Sequence, residues 1–105
     1  MPDLEPLLAP RSVAIIGLST KPGSAGLVVL QNLLNAGFDG SLHLVGRSGG
    51  EVGGRVVHTS LAALPAGVDL AILLVPSDAV LGTLRGCVER GVRGAVCFAS
   101  GFAEM

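Results

Sequence analysis

Tryptophan and tyrosine are absent from these 105 residues and phenylalanine occurs three times, so aromatic side chains make up 3% of the chain. A nucleic-acid surface needs planar groups to stack on bases and a basic patch to follow phosphates. Here the seven Lys and Arg are spread along the sequence, Lys21 is the only lysine, and the formal net charge is −1, so no nucleic-acid partner is expected. Charged residues are also scarce, at 14%, whereas half the residues are apolar and the mean hydropathy is +0.68. Strands buried on both faces in a parallel sheet account for that balance. A membrane span does not: the longest strongly apolar piece, Leu70 to Val75, stops at Pro76, well short of the roughly 18–20 residues a bilayer requires. The opening M-P-D-L-E-P-L-L-A-P lacks the basic and apolar regions of a signal peptide, which leads us to expect a cytoplasmic protein. Cys87 and Cys97 are isolated, without C-x-x-C spacing. Both read as reduced, buried, apolar-like residues, not a disulfide, metal site or nucleophile. Carboxylates are not clustered, and His43 and His58 lie far apart with no partner motif. Neither a metal site nor a catalytic residue is expected in this chain.

The rest of the chain is arranged around S-V-A-I-I-G-L-S-T-K-P-G-S-A-G, from Ser12 to Gly26. Val13, Ala14, Ile15 and Ile16 are too few for a helix and apolar on both faces, as in a central parallel strand. Gly17 ends that strand, and Ser19, Thr20, Lys21, Pro22, Gly23 and Ser24 form a loop before Gly26 opens a helical pattern. A strand, a glycine-rich loop and a helix N-terminus together make an anion site, because the first helical N–H groups lack internal partners and the dipole is positive there. A phosphate is the expected guest, with Lys21 adding one charge. The spacing is neither G-x-G-x-x-G, since Ser19 stands at the second glycine, nor a Walker loop. The competing reading is a strand-to-helix turn that binds nothing.

Residues 1–11 read as a lead-in, with Pro2, Pro6 and Pro10 limiting regular structure; residues 12–105 read as one Rossmann-like domain. Leu27, Leu30, Leu33 and Leu34 place a helix over 25–36, with Gly37 as its C-terminal cap. Leu42 to Val45 is the second strand. A domain that binds NAD carries an acidic residue near this strand's tip to receive the ribose hydroxyls. This tip reads Gly46, Arg47, Ser48, with no carboxylate before Glu51. Either Arg47 is a solvated loop residue or its planar fork receives a phosphate; in the second case a phosphorylated sugar, as in NADP or coenzyme A, fits better than NAD. Gly49, Gly50, Gly53 and Gly54 read as a flexible link to a short strand at Arg55 to Val57 and a brief helix at Leu61 to Leu64. Val68 to Val75 is the third full strand. Ser77 and Asp78 are placed to cap a helix with apolar positions Val80, Leu81, Leu84, Cys87 and Val88, ended by Gly91. Ala95 to Phe98 is the last strand, and Ser100 and Gly101 leave its end. Repeated strand–helix–strand units give an α/β, three-layer, mostly parallel sheet whose ligand crevice lies at the carboxyl ends of the strands.

Three motifs in order, R-S-V-A-I-I-G-L-S-T-K-P-G-S-A-G, V-D-L-A-I-L-L-V-P and G-V-R-G-A-V-C-F-A-S-G-F-A-E, resemble the N-terminal CoA-binding domain of NDP-forming acyl-CoA synthetases, relatives of the succinyl-CoA synthetase α subunit. The same domain occurs in related protein acetyltransferases. The resemblance implies that the loop of Gly17, Ser19, Thr20, Lys21, Pro22, Gly23, Ser24 and Gly26 wraps CoA phosphates and that Gly46, Arg47 and Ser48 contribute beside it. It also implies that Val75, Pro76, Ser100 and Gly101 border the nucleotide and pantetheine. The family commonly has Val-Asn-Pro and a basic residue after the second strand, where this chain has Val45-Gly46-Arg47-Ser48. The family's phosphorylated histidine and ATP-grasp region belong to other domains, and neither His43 nor His58 matches the phosphohistidine motif. The resemblance thus implies a CoA- or acyl-CoA-binding module, shortened on its C-terminal side and without chemistry of its own, that works with further synthetase domains or a partner subunit. Three alternatives stay open: a stand-alone CoA-responsive protein, the NADP domain of an oxidoreductase, and a structural or interaction domain whose loop binds nothing. An apolar last strand would be a bare sheet edge, to be covered by another domain, a partner or a second copy.

Overall fold

Strand β1, Ser12–Ile16, has its residues 13–16 at 0–4% exposure, a degree of burial that only a strand paired on both sides and covered on both faces can reach. A computed structural model describes residues 10–19 and 23–97. In it β1 pairs in parallel with β2, Ser41–Val45, from Ser12↔Ser41 to Ile16↔Val45. On its other side it pairs in parallel with β5, Leu70–Leu73, from Val13↔Leu70 to Ile16↔Leu73. Among the described residues the sheet has six strands, completed by β3, Glu51–Val52, β4, Arg55–His58, and β6, Ala95–Cys97, in the order β3-β4-β2-β1-β5-β6. Every pairing is parallel except that of β3 with β4. The order reverses beside β1, with later strands added first on one side and then on the other. In such sheets the ligand crevice lies at that reversal, outside the carboxyl ends of the strands.

Alternation along the strands separates two cores. Val13, Ile15, Leu44 and Ile72 face α1, Ala25–Asn35, which contributes Leu30. Ala14, Ile16, Val45, Ala71 and Leu73 face α2, Val80–Glu89, which contributes Cys87, and Leu64 closes that side. The three-layer α/β expectation is met. Both helices end in the same way: Gly37 N–H bonds to Leu34 O and Phe38 N–H to Leu33 O, while Gly91 N–H bonds to Val88 O and Val92 N–H to Cys87 O. These are paired Schellman caps, with the glycines at φ 85° and 74°. Among the described residues no helix is long and apolar enough to cross a membrane.

Several expectations need correction. The link over 49–54 is not a flexible connection: Glu51 pairs with Val56 and Val52 with Arg55 around Gly53 and Gly54, at φ 56° and 83°. Two successive positive φ values make the primed turn that suits a two-residue hairpin. The third strand is shorter than expected, because Val68 and Asp69 precede the ladder and residues 74–76 have left it. Ser77 and Asp78 do not cap α2. They form a 3₁₀ turn, Ser77–Ala79, and Ala79 precedes the helix without a side-chain cap. On α2, Leu81 and Val88 are 62% and 74% exposed. Gly86 packs on Leu61 on one flank, and the helical spacing of 81 and 88 sets them on the other. Cys97 is exposed, and only Cys87 is buried. Burial, and next the neighbouring Cys97, push the Cys87 thiol up, which keeps it protonated and inert. The expected lead-in lies outside the described residues apart from Pro10 and Arg11, as does Phe98.

Register also brings the two histidines together on the α2 side of the sheet. His43 shares a face with Val45, and Val45 pairs with His58. Burial, and then His58, hold the His43 imidazole below its ordinary 6.5. The unfolded chain therefore takes up this proton first as pH falls, so stability declines from about pH 6.5 downward and is regained above it. Melting followed by circular dichroism between pH 7.5 and 5.5 should show Tm falling, with a shallower slope in His43→Gln. An unchanged slope would mean that His43 does not carry the effect.

Candidate functional site at the carboxyl ends of the strands

At the end of β1 the chain turns within the narrow space between its two neighbours. Gly17 and Leu18 both donate their N–H to Val45 O, at 2.8 and 3.0 Å, and Leu74 N–H donates to Ile16 O at 2.7 Å. Gly17 has φ 93°, and a Cβ there would lie 2.3 Å from Leu74 O and 3.1 Å from Val75 Cγ1. No side chain fits between backbone strands at that distance. The glycine is therefore required by the strand exit, whether or not a ligand approaches.

The turn after β2 stands directly beside it. Gly46 N–H donates to His58 O at 2.8 Å, and Gly49 N–H closes the turn on Gly46 O at 3.1 Å. Arg47 and Ser48 occupy its two central positions and are exposed. A Cβ on Gly46 would sit 2.0 Å from Leu18 O. The loop that leads to α1 is tied by Ser24 Oγ, which donates to Ser19 O at 2.8 Å and does not cap the helix. No acidic residue lies in the first turn of α1, so its positive dipole end is not neutralised locally. Gly26 is buried, and a Cβ on it would meet Leu18 Cα at 3.0 Å. Gly23 is exposed at φ 79°, and among the described residues nothing lies within 4 Å of its would-be Cβ. Beyond β5, Val75 borders Gly17, and Pro76 O accepts from Ala79 N–H at 2.8 Å, turning the chain toward α2.

The expected site residues thus divide by place. Gly17, Ser19, Ser24, Gly26, Gly46 and Val75 are linked through these contacts, Arg47 and Ser48 stand at the tip of the adjoining turn, and Gly23 and Pro76 lie at the margins. Thr20, Lys21, Pro22, Ser100 and Gly101 lie outside the described residues. Sequence reasoning passed over Leu18, 3% exposed; an apolar residue one position past the strand-ending glycine is the signal that marks it. Chemically the described residues of the rim offer a helix N-terminus with no acidic residue in its first turn, backbone amides and one arginine, with no charge buried among the described residues, which suits a phosphorylated ligand held mainly by main-chain groups. Among the described residues no group of three or more His, Cys, Asp or Glu could hold a metal.

Comparison with known proteins gives a match of residues 11–105 to the model of a family described as CoA binding domain. The chain is 39% identical, over 98% of its length, to the α subunit of acetate–CoA ligase (ADP-forming) I from Pyrococcus furiosus, and spans 23% of that protein. Among solved structures, the apo form of dinucleotide-forming acetyl-coenzyme A synthetase 1 from Ca. Korarchaeum cryptofilum superposes with a TM-score of 0.85 at 38% identity. There the match covers 97% of this chain and 22% of that one. A conserved hypothetical protein from Pyrococcus furiosus gives 0.74 at 28% identity, over 84% of this chain and 74% of its own.

Proposed function

We propose, from the premise that this chain belongs to the CoA-binding domain family, that it is the CoA-binding module of an NDP-forming acyl-CoA synthetase. In the whole enzyme the reaction joins an acid to CoA with conversion of ATP to ADP and phosphate. Residues 12–105 form the module and residues 1–11 its lead-in. The phosphates of CoA rest on the main chain of the loop through Gly17, Ser19, Thr20, Lys21, Pro22, Gly23, Ser24 and Gly26. Gly46, Arg47 and Ser48 flank them on one side, and Val75, Pro76, Ser100 and Gly101 border the remainder. The observation that carries this reading is the meeting of Gly17, Gly46 and Val75 where the strand order reverses, the place at which sheets of this kind receive nucleotides.

Chemistry is assigned elsewhere. Phosphoryl transfer needs a carrier group and cations around the transferring phosphoryl, and the described residues gather neither. Further domains or a partner subunit supply them in a cytoplasmic enzyme, and a second copy is a further candidate to cover β6. A stand-alone CoA-responsive protein is the second reading, favoured by the Pyrococcus furiosus neighbour of which this chain spans 74%.

Titration calorimetry with CoA, NADP and NAD is the deciding experiment. We expect CoA to bind most tightly, and the isolated chain, mixed with acetate, ATP, magnesium and CoA, to form no thioester. Tighter binding of NADP than of CoA would replace the synthetase reading with an oxidoreductase one.

A further inference from the structure

We infer that Leu18 is a positioning residue of this rim, a wedge that sets the first turn of α1 against the turn after β2. The inference rests on the reading of the rim as a CoA site. Leu18 is 3% exposed and packs in the α1-side core with Leu30, Leu44 and Val57. Its N–H bonds to Val45 O, its carbonyl oxygen lies 2.0 Å from where a Gly46 Cβ would be, and its Cα, Cγ and Cβ lie 3.0, 3.1 and 3.3 Å from where a Gly26 Cβ would be. Apart from chain neighbours and the backbone of α1 itself, all three of the nearest atoms to that Gly26 position belong to Leu18. Two of the glycines expected to admit a ligand's phosphate therefore admit Leu18 instead. The spacing between the two ligand-facing segments is set by one apolar side chain and its peptide, and a rim whose donors must be held to a fraction of an ångström depends on such support.

Leu18 also explains an asymmetry among the loop glycines. Gly26 and Gly46 are hemmed in by it, whereas Gly23 meets no atom of the described residues within 4 Å of its would-be Cβ. Substitutions at Gly26 and Gly46 should therefore act on binding through Leu18, Gly26 through its side chain and Gly46 through its carbonyl, and a side-chain change that moves the Leu18 backbone should reach both segments.

Amide NMR and CoA calorimetry on the whole chain test this. In Gly46→Ala the Gly26 amide resonance should move, because Leu18 is pushed from one side against the other; in Gly53→Ala, in the distant hairpin, it should stay in place. Leu18→Ala should weaken CoA binding about tenfold or more, Leu18→Met should return to within about threefold of the parent, and Val68→Ala, a fully buried truncation in the other core, should stay within about twofold. If Gly46→Ala or Leu18→Ala fails to fold, Leu18→Val carries the test, with weakening of about threefold or more and displaced Gly26 and Gly46 amides as the expected result. Equal losses in the Leu18 and Val68 variants, or a Gly26 amide indifferent to Gly46→Ala, would overturn the wedge. A parent chain that does not take up CoA brings down the functional reading instead, and the amide shifts then decide for or against the wedge by themselves.

Discussion

Gly17→Ala is expected to destabilise the chain by about 2–5 kcal/mol and to abolish measurable CoA binding. The figure combines about 1–2 kcal/mol for an L-residue held at positive φ with about 1–3 kcal/mol for forcing atoms into filled space. Both apply here, because Gly17 has φ 93° and its new methyl would be 2.3 Å from the carbonyl oxygen of Leu74. That oxygen belongs to a strand exit and cannot rotate aside as a side chain would. Against a total of about 5–15 kcal/mol for a domain, much of the stability is lost. Gly23→Ala is the control. It shares the positive φ, but among the described residues nothing lies within 4 Å of its would-be Cβ, so only the conformational part, about 1–2 kcal/mol, should appear. Urea midpoints of the two variants give the comparison, and a Gly17→Ala variant no weaker than Gly23→Ala would show that β1 can shift its exit.

Arg47→Glu is expected to leave the fold intact and to weaken CoA binding about 10- to 100-fold, the range for loss of a charge-assisted contact together with introduced repulsion. Arg47 is exposed at the tip of a turn held by Gly46 N–H to His58 O and Gly49 N–H to Gly46 O. None of those bonds involves its side chain. CoA carries a phosphate on its ribose, so the more pointed measurement is the ratio of CoA to dephospho-CoA affinity. We expect the parent to prefer CoA and Arg47→Ala to bind the two alike. A parent that fails to distinguish them would assign Arg47 to solvent and leave the loop after β1 to hold the ligand alone.

The central strands were legible in the sequence because burial on both faces leaves few ways to write them: Val13–Ile16 and Leu70–Leu73 are continuous apolar runs. The C-terminal helix ends were legible as well, since Gly37 and Gly91 stand where a left-handed residue is needed. What escaped was decided by competition among partners. Glu51-Val52-Gly53-Gly54 reads as loose by composition, yet the Gly53–Gly54 pair is the signal for a tight hairpin once a strand follows. Val80 to Val88 reads as a single buried stripe, but a ten-residue helix on a sheet buries only the side that faces it, and Leu81 and Val88 fall outside that side. At the candidate site the glycines were visible and their neighbours were not. Nothing in the residue order shows that Gly26 and Gly46, twenty positions apart, press on the same leucine.

The hairpin has a consequence for how this sheet can be extended. At one border the ladder ends in two residues, one of them the exposed Glu51, followed at once by a reversal through glycine; a newcomer there meets charge and a chain that turns away. Among the described residues the opposite border is β6, whose Ala95, Val96 and Cys97 are uncharged and all exposed, and α2 exposes Leu81 and Val88 as well. Among the described residues, β6 is therefore the border that presents nothing to oppose a further strand. A further strand is expected to join beside β6 and not beside Glu51.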